Sequence, residues 1–315
     1  MIVPVFNSEA TLTLLVDRLE TVLRTIACEF EIILVNDGSR DYSGAVATEL
    51  ARSHSFVRAL DLMRNYGQHN ALLAGIRHAR FEFVVTIDDD LQNPPEEIPV
   101  LLGPLGSGFD VVYGVPAHEQ HGLLRDLASQ ITKLTLQNAM GAEAARNLSA
   151  FRAFRTELRQ AFANYQGSFV SIDVLLTWAT SRFTALVVRH EPRAAGASNY
   201  TLRKLVIHAL NMMTGFSTLP LQLASLVGFA FTFVGLLVLL FVVGRFLVAG
   251  GSVPGFPFLA SIIAVFSGAQ LFALGIIGEY LARVHFRMMD KPSYAIRHDS
   301  EAAAQALTAD CQARG

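Results

Sequence analysis

Cysteine is almost absent from this chain. Cys28 and Cys311 stand far apart among 315 residues, which leaves no disulfide framework and no cysteine spacing for a metal. A reducing compartment fits that usage. Charge is also scarce: 17% of residues are charged and the formal net charge is −2. A nucleic-acid binder would normally carry a basic footprint, so that class is excluded. Internal repeats are missing as well. So is a basic-then-apolar leader: Met1 runs directly into a strand-like segment, residues 2–6, which predicts no signal peptide and a native start a few residues upstream.

What the chain has in excess is apolar surface. Hydrophobic residues make up 52% of it and mean hydropathy is +0.38, too apolar for an ordinary soluble enzyme. The excess is concentrated. Residues 221–243 and 254–278 are uncharged runs of 23 and 25 residues, each long enough to cross about 30 Å of hydrocarbon as a helix. Arg193, Arg203 and Lys204 precede them, Arg283, Arg287, Lys291 and Arg297 follow, and only Arg245 lies between. That bias predicts a hairpin with both ends in the cytoplasm. Just upstream, Leu202, Leu205, Val206, Ala209, Leu210 and Met213 make an apolar stripe with Arg203, Lys204 and His208 off it, the pattern of a basic amphipathic helix lying in a membrane interface.

Residues 1–115 alternate strand and helix signals: strands at 2–6, 31–35, 57–62, 83–87 and 110–113, helices at 10–26, 45–51 and 69–79. Such units build a mostly parallel sheet covered by helices, and ligands of such sheets bind at the carboxyl ends of the strands. Asn7, Asp37 and an acid triplet, Asp88, Asp89 and Asp90, all fall at such ends and should line one cleft. Alternate residues on a strand point the same way, so Asp88 and Asp90 face one side and Asp89 the other. Close carboxylates repel unless a cation or proton lies between them. Oxygen ligands suit Mg2+ or Mn2+, which complete their shells with water and phosphates. The triplet therefore reads as a site for a metal-bound phosphate ester, against the plainer reading of an acidic turn capping a helix. In the loop Arg64-Asn65-Tyr66-Gly67-Gln68-His69, glycine permits close backbone approach and the following helix N-terminus favours an anion. A plain strand–helix turn fits it equally.

Four segments in order carry a resemblance: Pro4-Val5-Phe6-Asn7, Val35-Asn36-Asp37-Gly38-Ser39-Arg40-Asp41, the Arg64–His69 loop, and Asp88-Asp89-Asp90-Leu91-Gln92-Asn93-Pro94-Pro95-Glu96-Glu97. Together they resemble the family 2 glycosyltransferases of the GT-A fold, in the branch that uses polyisoprenyl phosphates. Arg193, Gly196, Ser198 and Tyr200, with the apolar hairpin, extend the likeness to about residue 290.

The resemblance implies an α/β fold: a Rossmann-like nucleotide-diphospho-sugar transferase domain over 1–195, with 1–115 holding the nucleotide and 116–195 the acceptor. An amphipathic helix (196–220), two transmembrane helices (221–281) and a tail (282–315, loose from about 299) follow. It implies inverting transfer of a sugar from a nucleotide-sugar donor, with UDP expected, to a polyprenyl phosphate at the cytoplasmic face of a bacterial inner membrane. Asp88, Asp90 and Gln92 would hold Mg2+ or Mn2+. Asp89, Asp90 and Arg125 would be catalytic. Pro4, Phe6, Asn7, Glu9, Asp37, Asp88 and Asp89 would bind the nucleotide. Arg64, Arg125, Arg193, Ser198 and Arg203 would bind phosphates or the acceptor. A homo-oligomer, a tetramer by resemblance, is implied too.

The chain departs from the family pattern in three places. Ser8 stands where the family has Glu, with Glu9 following. Asn199 replaces a lysine, so Arg203 or Lys204 would supply that charge. The segment 146–152 lacks the acid that many relatives carry. A processive polysaccharide synthase is disfavoured by having only two spans to work with and no Gln-x-x-Arg-Trp motif. A sugar nucleotidyltransferase would not need the hairpin. A scaffold with a decayed transferase domain is opposed by the intact triplet.

Overall fold

The computed structural model describes residues 1–116, 148–167, 170–191, 219–249, 255–289 and 291–302. The amphipathic helix expected within 196–220 lies outside them. The chain divides into two units, Met1–Leu205 with Asp290–Gly315, and Val206–Met289.

The first unit is an α/β sheet, as expected. Its elements are β1 (Ile2–Val5), α1 (Leu12–Ile26), β2 (Ile32–Asn36), α2 (Ser43–Ser53), β3 (Val57–Leu62), α3 (Gln68–His78), β4 (Phe83–Thr86), a short α4 (Ile98–Leu102), β5 (Val111–Pro116), β6 (Arg152–Arg155), α5 (Ile172–Ala179), β7 (Phe183–Val188) and, after the second unit, β8 (Ile296–Asp299). The strand order is β7-β5-β6-β4-β1-β2-β3-β8. The strands β3, β2, β1 and β4 are mutually parallel; β6 runs antiparallel between β4 and β5, and β5 pairs parallel with β7. All of β1 and β2 is buried, which explains their unbroken apolar reading: strands covered on both faces show no alternation. Helix α1 buries Leu12, Leu15, Val16, Leu19, Val22 and Leu23, the stripe its 3.6-residue period predicts. Ile26, expected on that stripe, is 37% exposed at the last turn.

One edge of the sheet is closed by a strand with no sequence signal. Polar β8 pairs antiparallel with β3, matching Leu60 to Asp299 and Asp61 to His298. Arg58 forks onto Asp299 at 3.0 and 2.5 Å and reaches Glu301 at 2.7 Å. Arg80 joins Glu301 at 2.6 Å and Glu31 at 3.0 Å. The cover blunts an edge that would otherwise offer unpaired backbone groups.

The second unit holds α6 (Leu219–Ala249) and α7 (Phe256–Met288). Within them Leu221–Arg245 and Val265–Ala282 are long and apolar enough to cross a membrane. Large side chains such as Phe229, Leu247 and Leu271 are more than two-thirds exposed, and a helix apolar all round is suited to lipid rather than water. The two helices meet edge to face at Phe231 and Phe266, 5.8 Å apart. Gly235 permits this approach: a Cβ there would sit 2.8 Å from the Phe266 ring.

Candidate active site

The site begins with a gap in the sheet. The carbonyls of Met1 and Val5 bond to Ile33 and Asp37 on the β2 side. Alternation therefore turns Ile2, Pro4 and Phe6 toward β4. The β1–β4 pairing covers only Ile2 with Thr86. Proline offers no N–H, so Pro4 costs the ladder nothing where β4 has already diverged. The Asp89 carboxylate fills the gap beyond. Its Oδ2 accepts from Phe6 N at 3.1 Å and also from the Ser8 hydroxyl, while its carbonyl accepts from Thr11 Oγ1 at 2.7 Å. Burial pushes the Asp89 carboxyl above the usual range, the Ser8 and Phe6 donors pull it back, and Asp90 adds to the rise.

The acid triplet is not an extension of the strand, which corrects the alternation argument. Strand β4 ends at Thr86 and Asp89 and Asp90 form a turn. Leu91 has φ 61°, a left-handed backbone that costs a leucine of order 1 kcal/mol. The three acids still separate. Asp89 turns inward. Asp88 Oδ1 accepts from Gln68 Nε2 at 2.6 Å, and Asp90 Oδ1 accepts from Gln92 N at 3.1 Å. The Gln92 carbonyl is held by Glu191 N at 2.8 Å.

The turns after β1 and β2 are laced together. Asn7, with φ 56°, accepts from Arg40 N at 2.8 Å and donates its own N–H to Ser39 Oγ at 3.1 Å. Glu9 Oε2 accepts from Tyr42 N at 2.8 Å. Phe6 keeps 41% of its surface open beside them, an aromatic face at the strand end. Asp37 is buried and takes Tyr66 N at 2.7 Å on one oxygen and Gly67 N at 2.8 Å on the other. Burial pushes its carboxyl up and the two amides pull it back. Asp37 therefore fixes the 64–68 loop, over which the Arg64 guanidinium stacks on the Tyr66 ring at 4.6 Å. Gly38 makes this geometry possible. Its φ is +63° and a Cβ would lie 2.6 Å from the backbone of Arg64 and Asn65. Gly38→Ala is expected to cost at least about 2 kcal/mol, from backbone strain plus the clash, seen as a fall of roughly 4–8 °C in the unfolding midpoint.

Below the carboxyl end of β4 lies a buried charge network that sequence reasoning missed. Arg152 donates to Asp173 and, at 3.3 Å, to Thr86 Oγ1. The Tyr113 hydroxyl donates to the same Asp173 oxygen at 3.0 Å. Burial, with Asp173 beside it, pushes the Tyr113 phenol well up, so it stays a proton donor. The signal for this network was present: an arginine inside the apolar segment Phe151-Arg152-Ala153-Phe154 must find a partner.

Among the described residues no three His, Cys, Asp or Glu side chains converge into a metal cage. The donor chemistry nonetheless fits a hard divalent cation. Such ions are commonly held by one or two carboxylates and finish their shells with water and substrate phosphates, and Asp88 and Asp90, two residues apart, are partly exposed all-oxygen donors. Asp89, taken up by Phe6 and Ser8, is left out of that set. The structure thus gathers Pro4, Phe6, Asn7, Glu9, Asp37, Arg64, Asp88, Asp89, Asp90 and Gln92 at the carboxyl ends of β1, β2, β3 and β4. Arg125, Arg193, Ser198 and Arg203 lie outside the described residues. An apolar cavity of 330 Å3 lined by Leu23, Ile26, Phe30 and Leu102 opens at the opposite, amino end of the strands.

The family model described as glycosyl transferase family 2 matches residues 1–164. The chain is similar to undecaprenyl-phosphate 4-deoxy-4-formamido-L-arabinose transferase of Yersinia enterocolitica, 36% identical over 303 residues, covering 94% of this chain and 92% of that protein. To the protein of the same name from Pseudomonas aeruginosa it is 35% identical over 318 residues, covering 100% and 94%. Among solved structures, Mycobacterium tuberculosis glucosyl-3-phosphoglycerate synthase in complex with Mn2+ and UDP-glucose matches at 21% identity and a TM-score of 0.48, over 68% of this chain and 75% of that one.

Proposed function

This chain belongs to glycosyl transferase family 2, and we propose that it moves a sugar from a UDP-sugar to undecaprenyl phosphate at the cytoplasmic face of a bacterial inner membrane. The observation that carries the reading is the extent of the similarity: proteins named for undecaprenyl-phosphate transfer align with 94% or more of the chain, including the two membrane-length helices. By that relationship 4-deoxy-4-formamido-L-arabinose is the first donor sugar to test.

In this reading Asp88 and Asp90, with Gln92, hold Mg2+ or Mn2+. When bound, the ion neutralises charge developing on the leaving nucleoside diphosphate. The open ring of Phe6 and the turn at Asn7 receive the nucleoside, and Asp37 keeps the Arg64 loop in place beside it. Asp89 braces the end of β1 through Phe6 N and Ser8. Arg125, Arg193 and Arg203, with Ser198, would bind phosphates, a task to which the planar guanidinium is suited. The acceptor is a phosphate monoester with a second pKa near 6, so it is already anionic at about pH 7 and needs no strong general base. That matches the acid-free segment 146–152. Asp173 is not a base in waiting, because Arg152 and Tyr113 hold it. Direct attack of the phosphate oxygen on the anomeric carbon breaks the bond to the diphosphate and inverts the centre. The hairpin keeps the transferase domain at the bilayer where its acceptor resides, and proximity of that kind removes part of the association entropy.

The test is an assay of membranes containing the chain, with undecaprenyl phosphate and a panel of labelled UDP- and GDP-sugars. Labelled lipid is expected with at least one UDP-sugar, lost on EDTA and restored by Mn2+ or Mg2+. No labelled lipid with any donor would refute the reading.

A further inference from the structure

The loop between β3 and α3 is built more firmly than a plain strand–helix connection requires. The Asp37 carboxylate holds Tyr66 N and Gly67 N. The backbone of Arg64 and Asn65 is pressed against Gly38. Asn70 Nδ2 reaches back to the Tyr66 carbonyl at 2.7 Å. Gln68, the first residue of α3, emerges from this frame, and its exposed side chain crosses to Asp88 Oδ1 at 2.6 Å. A long exposed side chain loses rotamer freedom to hold one geometry, so the fixed frame behind it matters: the direction of Gln68 is set before the contact is made.

We propose that Gln68 is a positioning residue for the metal-bearing carboxylate of Asp88, and that its loop joins the nucleoside end of the site to the metal end. The inference rests on the metal–diphosphate reading above. The choice of an amide is the chemical point. A neutral N–H donor fixes the rotation of the carboxylate by holding one oxygen and leaves its charge for a cation. A lysine or arginine there would neutralise Asp88 and compete with the metal. The Arg152 guanidinium lies within electrostatic reach of the same carboxylate but directs its own hydrogen bonds to Asp173 and Thr86. Partners that orient a metal ligand in this way typically affect metal affinity by about 10–100-fold. Asp37 anchors the two residues immediately before Gln68, so the frame that shapes the nucleoside end of the site also sets Asp88.

The experiment is an Mn2+ titration of the full-length chain in detergent, followed by the electron paramagnetic resonance of free Mn2+, with and without UDP. Wild type is compared with Gln68→Ala and Gln68→Lys, and thermal unfolding checks that each variant is folded. Gln68→Ala is expected to weaken Mn2+ binding by about tenfold, and Gln68→Lys by more. Transfer by Gln68→Ala should recover at saturating Mn2+ to within roughly threefold of wild type, which a merely structural defect would not allow. Folded Gln68→Ala binding Mn2+ within about twofold of wild type overturns the inference while leaving the metal site intact. Wild type that binds no Mn2+ even with UDP overturns the metal reading itself and the inference with it.

Discussion

Asp90→Asn is expected to lower turnover by roughly three orders of magnitude while leaving the chain folded. The first half follows from electrostatics. A cation neutralising the leaving diphosphate is worth several kcal/mol in the transition state, and each 1.36 kcal/mol is about tenfold in rate. An amide has neither the charge nor the affinity to keep the cation. The second half follows from the geometry of the turn. Asp90 Oδ1 accepts from Gln92 N at 3.1 Å, and asparagine retains an oxygen for that bond. The loss should therefore appear in transfer of labelled sugar and not in the unfolding midpoint. Asp88→Asn should behave alike. Activity within tenfold of wild type in either folded variant would remove the metal role assigned to that residue.

Arg152→Ala is expected to cost about 3 kcal/mol of stability, because it takes the cation from a largely buried carboxylate and leaves the Tyr113 hydroxyl as its donor. The Arg152 side chain is 3% exposed and that of its partner Asp173 13%, so water can replace the guanidinium only in part. Against a total stability of about 5–15 kcal/mol, that loss is visible as a large fall in the unfolding midpoint or as failure to accumulate. The double change Arg152→Met with Asp173→Leu is expected to recover most of it, since replacing a buried ion pair by apolar groups of similar size is often neutral. The Tyr113 hydroxyl then loses its acceptor, so a residual cost of about 1 kcal/mol remains. A single variant as stable as wild type would show that the network is not the support of β6 that its burial indicates.

The parts of this molecule that were legible in its sequence are those governed by local pattern. The α1 stripe follows from its period, the buried strands β1 and β2 from unbroken apolar runs, and the two membrane-length helices from the length of their uncharged runs. The cleft was legible for a related reason: parallel strands put their carboxyl ends on one side, so Asn7, Asp37 and the triplet could be placed together before any contact was known. What the sequence did not disclose depends on partners far away along the chain. The Gln68–Asp88, Tyr113–Asp173 and Arg58–Asp299 contacts span 20, 60 and 241 residues. Strand β8 is short and polar, and nothing in its own spacing marks it as a strand or says where it docks. The triplet itself was misread in one respect. Alternation applies while a strand lasts, and β4 stops at Thr86. The separation of Asp89 from Asp88 and Asp90 is made instead by a turn with a left-handed Leu91 and by the opening beside Pro4.

The central step is a single sugar transfer. The most direct measurement uses the purified full-length chain in vesicles, with and without undecaprenyl phosphate, given a labelled UDP-sugar and either Mn2+ or EDTA. Label is expected in the lipid phase, one sugar per acceptor, only when undecaprenyl phosphate and the divalent ion are both present. Label that appears without undecaprenyl phosphate, accumulates as polymer, or survives EDTA undiminished would contradict it.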